Sequence, residues 1–181
     1  MASELETFLR VWDEEAKKTA DLLRALPEGS YDFRPDASGR SIGEMAWHLA
    51  EGDAYMTFCI ERRDFSMGGP KPPGIERPKT IAELAPGFER VHADAVARVQ
   101  KLKPEDLGTK VKFFDGSERP IGGILWEGIL FHLIHHRGQL SLMCRLSGGC
   151  SPGMYGPNRE EMAAMRAAQE APKPVEASAA S

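Results

Sequence analysis

The sequence has no long apolar run and only a few cysteines. No stretch reaches the ~18 consecutive apolar residues of a transmembrane helix, so we expect no membrane association. The three cysteines, Cys59, Cys144 and Cys150, are widely spaced and form no C-x-x-C pair. This pattern argues against a disulfide framework and against a thiolate zinc site. We expect three reduced thiols, most of them buried.

An excess of positive charge is also missing. The chain carries 23 lysines and arginines against 27 aspartates and glutamates, a net charge of -4. The basic residues are scattered and do not alternate with aromatic residues, so we expect no nucleic-acid partner. The N-terminal residues are acidic where a signal peptide needs a basic flank and an apolar run. This predicts a cytoplasmic protein.

Four segments show the apolar periodicity of amphipathic helices. They span residues 3–26, 41–60, 80–103 and 121–146. Ser41 followed by Glu44 has the spacing of a helix-capping box, and so has Thr80 followed by Glu83. Pro86 is expected to kink or reset the third helix near its start. The pattern predicts an all-α four-helix bundle, and the connection lengths allow an up-down-down-up order of helices.

The remaining segments are connections and a C-terminal extension. The proline- and glycine-rich segment 62–79 is long for a connection, which is typical of functional or mobile loops. Residues 111–114, followed by Asp115 and Gly116, predict a short extended piece or hairpin. We expect the bundle domain to span residues 1–157. Residues 158–181 are expected to form a short helix over 159–170 and a disordered tail over the last eleven residues.

The fourth helical segment carries three of the five histidines. His132 and His136 are four residues apart, which places both imidazoles on one face of a helix, one turn apart. Two histidines at this spacing can bind a single metal ion. Because Leu125, Ile129 and Leu140 fall on the same face, we expect the pair to point into the core. A metal ion would hold the two buried rings neutral and coordinated.

A third histidine, His48, lies in the middle of the second helical segment, where we expect it to face the core. Three neutral imidazoles leave positions open for water or substrate, as in catalytic zinc sites. Nitrogen ligands suit zinc, nickel, copper or iron. The spacing is also that of two ordinary histidines, one buried and one at the surface. Because Leu133 follows His132, the pair lacks the general base of the H-E-x-x-H motif.

Two polar residues are placed to orient these rings. Gln139 lies three residues beyond His136, and Glu51 lies three residues beyond His48. On a helix each side chain can either accept a hydrogen bond from the neighbouring imidazole or remain solvated.

The other two histidines are expected outside the set. His135 is turned about 100° round the helix from His136, which places it at the rim of the site or on a partner surface. His92 is expected on the polar side of the third helix, exposed to solvent. Four aromatic residues can either line a pocket or fill the core: Trp47, Tyr55, Trp126 and Phe131.

Two stretches of the sequence resemble a known family. The helix SIGEMAWHLAEGDAYM, which contains His48, and the segment HLIHHRGQLSLMCRLSGG, which begins at His132, are similar to the DinB-like superfamily with its YfiT-type metal proteins. The resemblance covers about residues 3–156, and HLIHHRGQL is its most specific part. It implies an up-down-down-up four-helix bundle, often a homodimer. It also implies that His48, His132 and His136 bind a divalent metal ion, nickel or zinc.

The resemblance also implies a range of functions. Characterised relatives include metal-dependent transferases and isomerases that use low-molecular-weight thiols such as mycothiol or bacillithiol. We therefore expect a small-molecule substrate and an ion that activates a thiol or water. Thiol transfer to a small electrophile is the first hypothesis, and hydrolysis is the second. The alternatives are a non-catalytic stress-response module that binds metal or a partner, and a protein whose histidines are structural and bind no metal.

Overall fold

The computed structural model describes residues 2–66 and 68–170 of the chain. The first three helices are α1 (Glu4–Arg24), α2 (Ile42–Arg62) and α3 (Ile81–Val99). Next come α4 (Ile121–Gly123), a π-helical segment (Ile124–Phe131) and α5 (His132–Leu146), which run without a break and together form the fourth bundle helix. The other elements are two 3₁₀ turns (Glu28–Ser30 and Pro104–Gly108), strands β1 (Lys110–Lys112) and β2 (Glu118–Pro120), and helix α6 (Arg159–Glu170).

The N-termini of α1 and α2 are closed by reciprocal caps. Ser41 Oγ accepts the backbone N–H of Glu44 at 3.2 Å, and Glu44 Oε2 accepts the N–H of Ser41 at 2.9 Å. Ser3 and Glu6 form the same arrangement at the start of α1. Each cap satisfies backbone donors that the first helical turn leaves without partners. The capping box predicted at Ser41 is therefore confirmed.

Helix α3 passes through Pro86 without interruption. Of the two effects predicted for this proline, a kink or a reset, the reset was wrong. A proline in the second turn removes a single backbone hydrogen bond, and the buried side chains of Ile81, Leu84 and Phe88 hold this end of the helix in the core. The helix ends at Val99, a few residues earlier than the periodicity indicated.

Contacts between helices define their directions. Helices α1 and α3 are antiparallel, α2 and α3 are parallel, and the fourth helix is parallel to α1 and antiparallel to α2. The order is therefore up-down-down-up, as predicted. The defining contacts are Trp12–His92 and Arg24–Glu89 (α1 with α3), Asp53–His92 and Thr57–Arg98 (α2 with α3), Glu4–Trp126 and Glu15–Arg137 (α1 with the fourth helix), and Gly52–His132 and His48–His136 (α2 with the fourth helix).

The predicted hairpin is present between α3 and α4. Strands β1 and β2 pair antiparallel, with Val111 opposite Arg119. The turn contains Gly116, whose φ of 82° lies in the left-handed region that glycine adopts without strain. Val111 is buried under the hairpin, so this small sheet covers part of the helical core.

The three cysteines differ in burial: Cys144 is buried, Cys59 is half-buried and Cys150 is exposed. The expectation that most of the thiols are buried holds fully for Cys144 alone. Among the described residues, no helix combines the length and the apolar character that crossing a bilayer requires.

The chain forms a first compact unit over Met1–Ser151 and a second that begins at Pro152. In the second unit, α6 is capped by Asn158, whose side-chain oxygen accepts the N–H of Glu161 at 2.7 Å. The side chains of α6 are exposed along the whole helix. The domain boundary expected after residue 157 stays a prediction, and the tail expected over residues 171–181 lies outside the described residues.

Candidate metal centre

Three histidine rings from two helices meet in the groove between α2 and α5. The ring centroid of His48 lies 5.1 Å from that of His132 and 4.6 Å from that of His136. The two rings on α5 are 4.4 Å apart, and their Nε2 atoms are separated by 3.1 Å. One nitrogen of each ring lies within 4.8 Å of the others. The structure thus brings together the three histidines singled out in the sequence.

The cluster is half-buried and does not point into the core as the periodicity indicated. The buried positions of the fourth helix run through Ile129, Leu133 and Arg137 to Leu140. We expected the core-facing residue one turn after Ile129 to be His132, three positions on, but it is Leu133, four positions on. The reason is that the π-helical segment has more residues per turn than an α-helix. The histidines are consequently displaced by one position from the core-facing side of the helix, towards α2.

Gln139 contacts the cluster directly. Its Oε1 atom lies 2.7 Å from Nδ1 of His136. Since a carbonyl oxygen can only accept, the hydrogen is on Nδ1, and Nε2 of His136 presents its lone pair towards His132. Glu51 lies farther from its ring, with Oε2 3.7 Å from Nδ1 of His48. Of the two alternatives proposed from the sequence, Gln139 therefore accepts a hydrogen bond from its imidazole, whereas Glu51 is too far from His48 for a hydrogen bond and its side chain is partly exposed to solvent.

The surroundings favour neutral rings. Burial, followed by the charges of His136 and His48, lowers the pKa of His132 to about 4. Burial also lowers the pKa of His136, although the hydrogen bond to Gln139 opposes that shift. At neutral pH both rings are therefore uncharged and can donate a lone pair to a metal ion.

This donor set fits a divalent metal ion. Two nitrogens held at about 2.0–2.1 Å from one tetrahedral zinc ion lie roughly 3.3 Å apart, and the Nε2 atoms of His132 and His136 are 3.1 Å apart, close to that separation. The hydrogen bond from Nδ1 to Gln139 is the kind of outer contact that fixes the tautomer of a metal-binding histidine. Three nitrogen donors leave room for a further ligand.

The prediction for His92 was wrong, because the residue is buried and 7% exposed. Its Nδ1 lies 2.8 Å from Oδ2 of Asp53, and its ring packs between Trp12 and Phe88 at centroid distances of 4.6 and 5.8 Å. Burial raises the pKa of Asp53, an effect that the hydrogen bond with His92 opposes. The pair joins α2 to α3 inside the core, and the sequence neighbours of His92 did not indicate this partner.

The aromatic residues considered for a pocket have different surroundings. Trp47 is buried and donates its indole N–H to the carbonyl of Ile75 at 3.0 Å. Tyr55 lines a cavity of about 290 Å³ at the C-terminal end of α2. Trp126 packs edge-on against Phe8, and Phe131 is exposed. His135 is exposed beside His136, with the ring centroids 4.9 Å apart, which agrees with its expected place at the rim.

Two residues of the site were not given a role by the sequence analysis. Arg137 is 2% exposed and forms a buried ion pair with Glu15 on α1. Gly52 on α2 faces the ring of His132. Arg137 lies four residues after Leu133 and so falls on the same helix face as this apolar residue, which was the sequence signal for a buried arginine. For Gly52 the signal was the presence of a glycine inside a helix.

The fold and the sequence both match known proteins. A DinB-like protein from Bacillus cereus ATCC 10987 has 27% sequence identity and a TM-score of 0.67, with 82% of this chain and 95% of that chain covered. A variant of the mycothiol-dependent maleylpyruvate isomerase has 12% identity and a TM-score of 0.55, covering 74% of this chain and 62% of that one. The second likeness concerns the fold alone.

The sequence comparisons define the family. The model of the DinB family matches residues 1–173. The uncharacterized protein YrdA of Bacillus subtilis (strain 168) is 30% identical over 183 residues, with 96% of this chain and 99% of that protein covered. This chain belongs to the DinB family.

Proposed function

We propose that His48, His132 and His136 bind one divalent metal ion, nickel or zinc, and that the protein is a metal-dependent enzyme. The proposed reaction transfers a low-molecular-weight thiol to a small electrophile. The observation that carries the proposal is the meeting of three imidazole rings from α2 and α5, with ligand atoms within 4.8 Å of one another.

The chain's own residues prepare this site for a ligand and a substrate. Burial keeps the ring of His132 neutral, and Gln139 holds the hydrogen of His136 on Nδ1, away from the centre of the cluster. Since the three rings are only half-buried, a small molecule can reach them from solvent. A bound divalent ion would act as a Lewis acid that lowers the pKa of a coordinated thiol or water.

The choice of a thiol is supported by the fold. A solved protein of similar fold is named a mycothiol-dependent isomerase, although its identity to this chain is 12%. A thiolate is a better ligand for zinc or nickel than a neutral thiol, so a site of three neutral imidazoles can accept one anionic sulfur. Hydrolysis by coordinated water is the second candidate reaction, since the same open position can hold water.

We also propose that the protein is a homodimer. Three apolar residues on one side of the fourth bundle helix are exposed: Phe131 (56%), Leu142 (61%) and Leu146 (56%). Their spacing of eleven and four residues places them on one helix face. We call this face the apolar stripe; a second copy of the chain would remove it from water.

Cobalt(II) loading tests the thiol proposal directly, because a thiolate bound to cobalt(II) gives an intense near-ultraviolet charge-transfer band. We expect N-acetylcysteine to produce this band in the cobalt-loaded protein, and its S-methyl derivative to produce none. In the His48→Ala variant both the cobalt spectrum and the thiol-dependent band should be lost.

The possible outcomes separate the hypotheses. A band that appears with both ligands, or that persists in His48→Ala, would contradict thiol binding at the three-histidine site. Cobalt binding without any thiol-dependent band would contradict thiol transfer and would leave hydrolysis by coordinated water and the non-catalytic metal-binding module as the alternatives. Failure to bind any divalent ion would contradict the metal site itself.

A further inference from the structure

Gly52 lies one helical turn beyond His48, on the side of α2 that faces the fourth bundle helix. A Cβ atom built on Gly52 would lie 3.3 Å from Nδ1 and 3.7 Å from Cε1 of His132. The shorter separation is below ordinary van der Waals contact. The ring of His132 therefore occupies the space that a side chain on Gly52 would otherwise fill.

A glycine in the middle of a helix is unfavourable relative to alanine, so its presence calls for a local reason. At Gly43 the reason is the ring of Tyr31, and at Gly87 it is the ring of Trp47, because each ring would clash with a Cβ atom. At Gly52 the neighbouring ring belongs to a histidine of the candidate metal centre. The glycine therefore allows α2 to approach α5 closely at the candidate metal centre.

We propose that Gly52 is a positioning residue of the metal centre, and that its missing side chain lets the ring of His132 lie against α2 beside His48. The inference rests on the proposed metal site. Gly52 would not touch the ion; it acts through the position of His132.

The geometry predicts what a side chain at this position does. The ring of His132 lies between α2 on one side and the ring of His136 on the other, with centroids 4.4 Å apart. A methyl group on Gly52 would force the His132 ring to move by a few tenths of an ångström, because the contact at 3.3 Å is too short. Metal–nitrogen distances are held within about 0.2 Å in a good site, so this displacement weakens binding.

The test compares two glycine-to-alanine substitutions in the full-length chain. Gly52→Ala places a methyl group against His132. Gly138→Ala is the matched control, because Gly138 also lies within a helix. Apart from its chain neighbours and the backbone of its own helix, no described atom lies within 4 Å of the added carbon. Both substitutions should leave the melting temperature of the metal-free protein unchanged or raise it by about 1–3 °C, because alanine favours a helix.

The decisive readout is the dissociation constant for zinc, measured by competition with a chromophoric chelator. We expect Gly52→Ala to weaken zinc binding about tenfold, the size of effect produced by residues that orient metal ligands. Gly138→Ala should bind zinc as the parent does. The cobalt(II) absorption spectrum should change in Gly52→Ala and stay the same in Gly138→Ala.

The outcomes separate this inference from the proposed function. If the parent binds zinc and Gly52→Ala binds it equally tightly, the positioning role is wrong while the metal site stands. If the affinity falls only together with a lower melting temperature of the metal-free protein, the effect is structural and the inference is overturned. If the parent binds no metal, the proposed function fails first.

Discussion

Arg137 of α5 reaches across the core to Glu15 of α1. Its guanidinium donates to the backbone carbonyl of Glu15 at 2.8 Å and also contacts the carboxylate of that residue. Both side chains are almost fully buried. Because Arg137 directly follows His136, this contact fixes the rotation of α5 and thereby the direction in which His136 and His132 project.

Removing the acidic partner should destabilise the protein strongly. In Glu15→Ala the guanidinium of Arg137 loses the carboxylate with which it forms an ion pair inside the core, and loss of one member of a buried ion pair costs about 3–5 kcal/mol. Urea denaturation followed by circular dichroism measures the change in the free energy of unfolding.

Glu14→Ala is the control for this prediction. Glu14 is exposed and pairs with Arg10 one turn away at 2.9 Å, a type of contact worth about 0.3–0.5 kcal/mol. Equal losses in the two variants would show that the buried pair contributes no more than a surface pair.

Gln139 should affect metal affinity more than stability. In Gln139→Leu the Nδ1–H of His136 loses its acceptor, so the preferred tautomer and ring orientation are no longer fixed. We expect zinc binding to weaken by about 10–100-fold. Gln139→Glu keeps an oxygen that can accept the Nδ1–H of His136, so this variant should bind zinc at least as tightly as the parent. Competition titrations measure both affinities, and an unchanged affinity in Gln139→Leu would refute the role of this contact.

Local sequence signals were sufficient for much of the fold. The capping box of Ser41 and Glu44 is a contact within one helical turn, and its spacing predicted it. The same spacing at Thr80 and Glu83 was misleading, because the side chain of Thr80 accepts no backbone N–H at the start of α3. The hairpin around Gly116 is also local. The spacing of His132 and His136 and the place of His48 in its helix indicated the histidine set, the resemblance to the DinB-like superfamily implied the same three residues, and the structure brings these rings together.

The errors arose where a residue's surroundings depend on other helices. His92 lies two residues before Asp94 in the sequence, yet its partner is Asp53 on a different helix. The inward direction expected for His132 assumed a regular α-helix, and the π-helical segment before it changes the phase by one residue. The periodicity of apolar residues predicts neither a partner on another helix nor a π-helical segment.

Stability at acid pH should depend on Glu44. Its carboxylate accepts hydrogen bonds from Arg34 and from the backbone of Ser41, which lower its pKa from 4.5 to about 2. A carboxyl group whose pKa is lower in the folded state stabilises the fold above its unfolded pKa, and the contribution disappears as the pH falls from about 4.5 to about 2.

The Glu44→Gln variant isolates this effect. Between pH 6 and pH 2 the melting temperature of the parent should fall more steeply than that of the variant, and the two curves should converge at the acid end. Thermal melts at a series of pH values measure the difference. Parallel curves would show that the cap of α2 does not contribute to acid sensitivity.

The apolar stripe should be the dimer contact. Leu142 is 61% exposed, so Leu142→Glu places a charge there without disturbing the core and should convert the proposed dimer to a monomer. Phe114→Glu is the control, since Phe114 is an exposed apolar residue in the loop between β1 and β2. Analytical ultracentrifugation at micromolar concentration measures the mass. A parent of 19.9 kDa, the monomer mass, would contradict the dimer.

The metal content of the purified protein tests the three-histidine site most directly. The parent chain would be purified without an affinity tag or chelator and analysed by inductively coupled plasma mass spectrometry, beside the His48→Ala, His136→Ala double variant. We expect about one equivalent of nickel or zinc per chain in the parent and none in the variant, because removing two of three ligands abolishes the site. A parent that is free of metal and cannot be loaded with nickel or zinc would contradict the proposed metal centre.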